Sequence, residues 1–493
     1  MQTSRDGSSW WRVGTAIALV VMITAAVVFS PGRPGPIYAQ NRVGPDRIIH
    51  RAPAKSNAPR IARKKIVGIE AIKREVGAAI PTGRGVPACH VEGMPGDYLP
   101  RRSLPEFRNV RFIAHSGPSK SNSHATATAR TIYGVNGMAP GISDVHCYAS
   151  ADWIGDGYLH AWSDRPPTMD DRRVFSQSWI RPTGGAISRD VDRRVDYLVD
   201  TRDVIMVVGV NNGRNTAVPA QLASAYNVIA MGVRTGDNSG GYTWFEGRGR
   251  CKPDLVAIGG KTSFSTPTVA GLAARLLEMA DRMAASDPAA ANAKRSEVIK
   301  AVLMAGAQKR DGWKREQGHP LDDHLGAGFA RFDHSYHILT AGPSPAGTID
   351  AAHGWDFTEV PAGEQAVRYD FDLARPVREF SIILTWNRRI GSGRNIILRG
   401  GKVLWDTTPR LANFNLELIH LDAAAGPATV EESISRVDNV EHIYRKRLGK
   451  GHYQLVVRRI DAINEPWEYA LAWRSQPEGR RKNPKPPPPD PAN

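Results

Sequence analysis

Between Lys261 and Gly271 the chain reads Lys-Thr-Ser-Phe-Ser-Thr-Pro-Thr-Val-Ala-Gly and runs into an apolar stretch with helical character, Leu272 to Met283. Small and hydroxyl residues at the mouth of a helix suit a nucleophile. The free N–H groups of a first turn point at whatever Ser263 attacks, and Pro267 fits such a turn because its missing N–H costs nothing there. Ala270 and Gly271 keep the helix thin enough to be buried on several sides. A serine hydroxyl is a weak nucleophile until a base takes its proton and a third group orients that base. His124, in Ser123-His-Ala-Thr-Ala-Thr-Ala129, is a candidate base, although a lone histidine is equally at home as a structural residue. Glu92 is a candidate acid. It ends Gly85-Val-Pro-Ala-Cys-His-Val-Glu-Gly93, an apolar run that reads as a buried strand with its carboxylate at the C-terminal edge, where open α/β sheets keep their chemistry. Asp97, five residues further on, is the rival. In Val207-Val-Gly-Val-Asn-Asn-Gly213 a buried apolar run ends in two asparagines, which either build a turn or present an amide.

The elements that would hold these residues follow an α/β alternation. Val174–Gln177, Val204–Val208 and Val228–Val233 read as strands, Val110–Ala114 as a further one, and Val191–Val199 and Ser296–Met304 as helices. Gly326-Ala-Gly-Phe-Ala330 and a helix over Phe332–Leu339 close this domain, placed at residues 81–343, with Gly342-Pro-Ser-Pro345 as its boundary. From 344 to 475 short alternating or apolar runs separated by turn residues take over: Val367–Leu373, Phe380–Trp386, Leu416–Leu421, His442–Tyr444, Tyr453–Val457 and Tyr469–Trp473. That spacing argues for an all-β sandwich. The expected fold class is therefore a parallel α/β sheet flanked by helices, followed by a β-sandwich.

The termini differ in character. Arg5 and Arg12 precede an uncharged stretch, Val13 to Ser30, so residues 1–40 read as an export signal or a single membrane anchor, with Ile37-Tyr38-Ala39 before a cleavage site near Gln40. The body is accordingly expected in a secreted or periplasmic location, with anchorage through residues 13–30 as the other outcome. Residues 41–80 read as a basic linker or short pro-segment, with a short helix over Val67–Val76, and 476–493 as a Pro-rich disordered tail.

With 493 residues, 41% apolar and 23% charged, the chain has room for two cores. The net charge of +16 invites a nucleic-acid reading, but much of it sits on the ends: ten Lys/Arg against three Asp/Glu lie between Asn41 and Ile80, and Arg480, Arg481, Lys482 and Lys485 fall in the tail. No nucleic-acid motif accompanies it, so no nucleic-acid partner is expected. Cys89, Cys147 and Cys251 allow one disulfide at most, have no metal-ligand spacing, and read as buried thiols.

The segment around Ser263 resembles the serine motif of the subtilases, the subtilisin-like serine proteases, Gly-Thr-Ser-x-Ala/Ser-x-Pro-x-Val-Ala-Gly, with Lys261 in place of the leading glycine. Ser123–Ala129 is similar to the family's His-Gly-Thr-His-Val-Ala-Gly, matching at His124, Thr126 and Ala129, and Gly137-Met-Ala-Pro-Gly141 follows as the family's Gly-Val-Ala-Pro-Gly does. Glu92 stands where the family places an aspartate, 32 residues before the histidine. Lys252-Pro-Asp-Leu-Val-Ala-Ile-Gly259 resembles the segment that precedes the family's nucleophile. The resemblance implies a serine endopeptidase with Ser263 as nucleophile, His124 as general base and Glu92 as the acid that orients it. It also implies Asn211 as the oxyanion donor, and Ser178, Trp179, Ile180, Val208, Gly209 and Val210 flanking an extended peptide or protein substrate. No cofactor or metal site is assigned; calcium, common in the family as a structural ion, stays open because no loop carries enough acidic ligands. The β-sandwich resembles the one that follows the protease domain in some bacterial alkaline subtilases.

Gly260-Lys-Thr262 ends like a phosphate loop, but that motif needs glycine at position 255, which is leucine. No Gly-x-Ser-x-Gly pentapeptide supports an α/β-hydrolase esterase. His124 argues against a sedolisin-type peptidase, which carries a glutamate there. The alternative from another class is a subtilase-fold protein that has lost catalysis and serves as a secreted peptide- or protein-binding module, toward which Lys261, Glu92 and the altered histidine motif all lean.

Overall fold

The computed structural model describes residues 60–478, except 94–95, 182–183, 364, 392–394 and 399–400. The expected signal or anchor, residues 41–59 of the linker, and nearly all of the tail lie outside the described residues. The helix expected over Val67–Val76 is α2 (Ile69–Val76); a second helix that was not expected, α1 (Arg60–Ile66), precedes it within the segment read as linker, joined to it through Gly68 at a φ of 86°. Val67, Ile69 and Ile72 are buried in the main core, and Val67 O accepts from Phe332 N at 2.7 Å. This segment is part of the folded body because its apolar residues have a surface to cover.

Seven parallel strands form the central sheet: β1 (Ala88–Glu92), β2 (Arg111–Ala114), β3 (Asp144–Ala149), β4 (Val174–Gln177), β5 (Ile205–Gly209), β6 (Ile229–Val233) and β7 (Leu255–Ala257), in the order β2-β3-β1-β4-β5-β6-β7. The side chains of β1 alternate between two cores. Ala88 packs on one face, with α3 (Ser123–Ile132), α6 (Thr262–Ser286), α7 (Ser296–Ala305) and α8 (Phe332–Thr340). Cys89 and Val91 pack on the other, with α4 (Ser150–Ile154) and α5 (Ala186–Arg202). Both faces are covered, which is why these strands read as continuous apolar runs. His90 and Glu92 share the parity of Ala88 and so face α3.

Beyond α8 the chain is all β. Strands β8 (Gly347–Thr348), β10 (Ala366–Leu373), β15 (Gly451–Arg459), β12 (Phe414–His420) and β13 (Ala428–Ser433) make one sheet. Strands β9 (His353–Val360), β16 (Trp467–Pro477), β11 (Val377–Thr385) and β14 (Val440–Leu448) make the other, and each of the six expected runs lies in or overlaps one of these strands. Phe371, Phe380, Phe414, Leu455 and Tyr469 from both sheets fill the space between them. The outer face of the second sheet lends Trp355, Ile383 and Ala472 to the α/β core. Arg388 is buried at this junction, 2.6 Å from Asp196 and 2.8 Å from Glu246. The three cysteines are buried and free. No helix among the described residues is long and apolar enough to cross a membrane.

Helix α6 is the axis of the α/β half, and at Gly271 it meets the loop after α3 so closely that a Cβ would lie 2.4 Å from Met138 Cβ. Helix propensity alone favours alanine over glycine by about 1 kcal/mol. Overpacking costs about 1–3 kcal/mol, and with backbone of Met138 and Ala139 also within 3.4 Å the clash prevails. Gly271→Ala should therefore lower stability in urea denaturation; a gain would show that this contact is slack.

Candidate active site

The candidate acid and the candidate base meet. Asn122 caps α3, its Oδ1 accepting from His124 N at 2.7 Å and Ala125 N at 3.3 Å, which sets the register of the helix. His124 and Thr128, four residues apart, then share one helix face. His124 Nδ1 bonds Glu92 Oε2 at 2.7 Å, and Thr128 Oγ1 donates to Glu92 Oε1 at 2.8 Å. Two residues back along β1, His90 Nε2 lies 3.1 Å from the same Oε1. The glutamate's extra methylene is thus accommodated, and both carboxylate oxygens are occupied. Asp97 is elsewhere, accepting from Lys120 N at 3.2 Å.

Glu92 is 1% exposed. Burial alone would raise its carboxyl above the ordinary 4.5, but the hydrogen bonds from His124 and His90, with the charges those rings can carry, outweigh it and hold the group at about 2. The reciprocal effect falls on His124: its bond to Glu92 raises the imidazole above the ordinary 6.5, against partial burial and the Lys261 charge. Gly93 follows the acid because a Cβ there would come within 2.9 Å of Trp179 Cβ.

The candidate nucleophile, Ser263, lies on α6. This helix begins at Thr262, earlier than expected, so Pro267 sits inside it rather than in its first turn. A proline there leaves the carbonyl four residues before it without a helical partner. That carbonyl belongs to Ser263, and Ser178 Oγ donates to it at 3.2 Å. Ser178 lies just past β4, where pairing with both neighbouring strands ends at Gln177. Trp179 turns inward and donates to Gln177 Oε1 at 2.7 Å, while Ile180 is exposed. Val208 and Val210 are core residues, and Val210 N is spent on Met231 O. Gly209 brings β5 against α6: a Cβ there would lie 3.2 Å from Thr266 Oγ1 and 3.3 Å from Thr262 Oγ1.

The two asparagines separate. Asn212 Oδ1 accepts from Thr262 N at 2.9 Å and Thr262 Oγ1 at 3.2 Å, which holds its amide at the start of α6, one residue before Ser263. Thr262 N can only donate, so this assigns the oxygen and leaves the Asn212 NH2 uncommitted. Asn211 is anchored through its backbone, to Ser239 Oγ at 3.0 Å, and among the described residues its side chain makes no bond to α6. Lys261 is the N-cap of α6, exposed and without a side-chain capping bond. The Phe264 ring stands 6.2 Å from that of His124, which brings the start of α6 beside the base. Among the described residues no hydrogen bond joins Ser263 Oγ to His124, and no cluster of three or more His, Cys, Asp or Glu could hold a metal ion.

Sequence reading missed Asn212, His90, Thr128 and the bond from Ser178 to Ser263. The signals for two of these were present: His90 shares the strand parity of Glu92, and Thr128 is one helical turn from His124.

The sequence profile of the subtilase family matches residues 112–320. Solved structures similar to this chain include a psychrophilic subtilisin-like protease from the Antarctic psychrotroph Pseudoalteromonas sp. AS-11 (11% identity, 57% of this chain and 99% of that one, TM-score 0.37). The PatG macrocyclase in complex with peptide (12%, 56% and 97%, TM-score 0.39) is another. A third is the serine protease MycP1 of the type VII (ESX-1) secretion system (14%, 56% and 88%, TM-score 0.33). No curated protein matches. With the family's sequence pattern running through an α/β domain of seven parallel strands, this chain carries a domain of the subtilase family, a family of serine proteases.

Proposed function

We propose that the chain is an exported serine endopeptidase that hydrolyses peptide bonds through an acyl-enzyme on Ser263. The observation that carries this reading is the 2.7 Å bond between Glu92 and His124. It places a buried carboxylate behind an imidazole that stands at the mouth of the nucleophile's helix. His124 would take the Ser263 proton during attack and return it to the leaving amine. Glu92 would hold the tautomer with hydrogen on Nδ1, keep Nε2 free as the base, and stabilise the imidazolium that forms. An extended peptide or protein substrate would lie along Ser178, Trp179 and Ile180, where strand pairing stops. Residues 13–30 would direct export.

For the oxyanion, the reading moves from Asn211 to Asn212. An amide already pinned by Thr262 is preorganised, and its uncommitted NH2 would join the Ser263 N–H in holding the developing charge. The second reading, a binding module without catalysis, draws on one observation, the missing hydrogen bond between Ser263 Oγ and His124. Catalytic bonds are often long in a free enzyme and tighten with substrate, so this does not displace the first reading.

Fluorophosphonate labelling separates the two. The purified chain should label while Ser263→Ala does not; equal background labelling of both would leave the binding module. In an active enzyme Asn212→Ala should lower kcat by roughly 10²–10³, and Asn211→Ala far less; the reverse order would return the donor to Asn211. Because Glu92 raises His124, kcat/KM should fall on the acid side with an apparent pKa above 6.5; a midpoint below that value would show that the pair is not formed in solution.

A further inference from the structure

Glu92 is held by more than the base it serves. His90 is fully buried, and its Nε2 lies 3.1 Å from Glu92 Oε1 and 3.2 Å from Thr128 Oγ1. An ionised carboxylate only accepts, so the hydrogen must be on Nε2, and the charged oxygen is the better of the two acceptors. Nδ1 of the same ring is buried without a partner among the described residues, so the ring has no acceptor for a second N–H. The far side of the ring meets Tyr133 edge-on, with centroids 5.7 Å apart. His90 therefore presents one donor, bonded to the Thr128 hydroxyl and 3.1 Å from the Glu92 oxygen to which that same hydroxyl donates.

We infer that His90 is a positioning residue for the proposed hydrolysis: it fixes the far oxygen of Glu92, so that the near oxygen stays in line with His124 Nδ1. The inference rests on the reading of Ser263, His124 and Glu92 as a catalytic set and goes one residue further. Its physical reason is the length of glutamate, which has one more rotatable bond than aspartate and swings more freely unless its second oxygen is tied. Thr128 ties that oxygen from the helix, and His90 backs it from the strand, bonded to the same hydroxyl and 3.1 Å from the oxygen itself. The Thr128 hydroxyl also lies 3.0 Å from the carbonyls of His124 and Ala125, so its single hydrogen has competing acceptors. The His90 N–H faces no backbone acceptor.

The other titratable groups bearing on the pair are Tyr133, Cys89 and Cys147, all pushed up by burial and so uncharged at neutral pH, and the exposed Lys261. Of these only Tyr133 touches the His90 ring.

The test uses the full chain with His90→Leu and His90→Asn, which remove the donor or its reach, and His90→Gln, whose amide can donate near the same point. Steady-state cleavage of a fluorogenic peptide should show kcat falling on the order of tenfold or more in the first two with KM unchanged. Their acid limb should fall back toward 6.5 as the His124 bond loosens, and His90→Gln should recover both. Wild-type kinetics in His90→Asn or His90→Leu, a limb that rises, or a His90→Gln chain no better than His90→Leu would overturn the inference. If the wild type itself turns over nothing, the enzyme reading fails on its own, and the Nδ1 proton resonance of His124 decides the positioning role. A resonance displaced in His90→Asn and restored in His90→Gln supports it, and one identical in all three chains rejects it.

Discussion

A carboxylate removed from water must be paired, or it takes up a proton instead. Glu92 is paired on both oxygens, and the geometry of the site follows from that. The bond to His124 requires α3 to begin where Asn122 caps it, because shifting the helix by one residue would rotate His124 and Thr128 away from the strand together. It also requires β1 to stay in register between β3 and β4, since a slip of one residue would send Glu92 to the opposite face. A buried charge held so closely makes the strand end and the helix start a single rigid piece.

Ser263 is fixed by a different device. Helix α6 is buried along most of its length, pressed against β4, β5 and β6 and against α3. Its two irregularities both point at Ser263. Pro267 leaves the Ser263 carbonyl for Ser178, which ties the Ser263 backbone to the end of β4. Asn212, reaching from the end of β5, caps the helix where Lys261 does not. His124 and Ser263 thus sit on two helices whose packing is set by small residues such as Gly271, and their separation depends on that packing.

Much of this was legible because the signals are local. Apolar runs bounded by turn residues marked β2, β4, β5 and β6 to within a residue and β1 more loosely, while β3 and β7 were not read as strands; the change to alternating runs after α8 marked the β-sandwich. The choice of Glu92 over Asp97 rested on the carboxylate's place at a strand end. What was not legible depends on contacts distant in sequence. The linker reading ran over α1 because a short basic helix has no strong pattern of its own; α1 packs on α2, and the segment that follows it, with Val67, Ile69 and Ile72, is buried in the core beside α8. The choice between adjacent asparagines could not be made without seeing which one reaches Thr262, fifty residues away. Pro267 was expected in a first turn because the start of α6 has a composition that suits a loop as well as a helix.

The claim on which the rest depends is that Glu92, and not Asp97, orients the base. The most direct measurement is kcat for Glu92→Gln beside Asp97→Asn in the same assay. A glutamine keeps the shape but permits the wrong imidazole tautomer and removes the charge that stabilises the imidazolium. The loss should therefore be large, roughly 10³–10⁴ in kcat with KM little changed, while Asp97→Asn should leave kcat as it is. A Glu92→Gln chain that turns over like the wild type, or an Asp97→Asn chain that does not, would contradict the account.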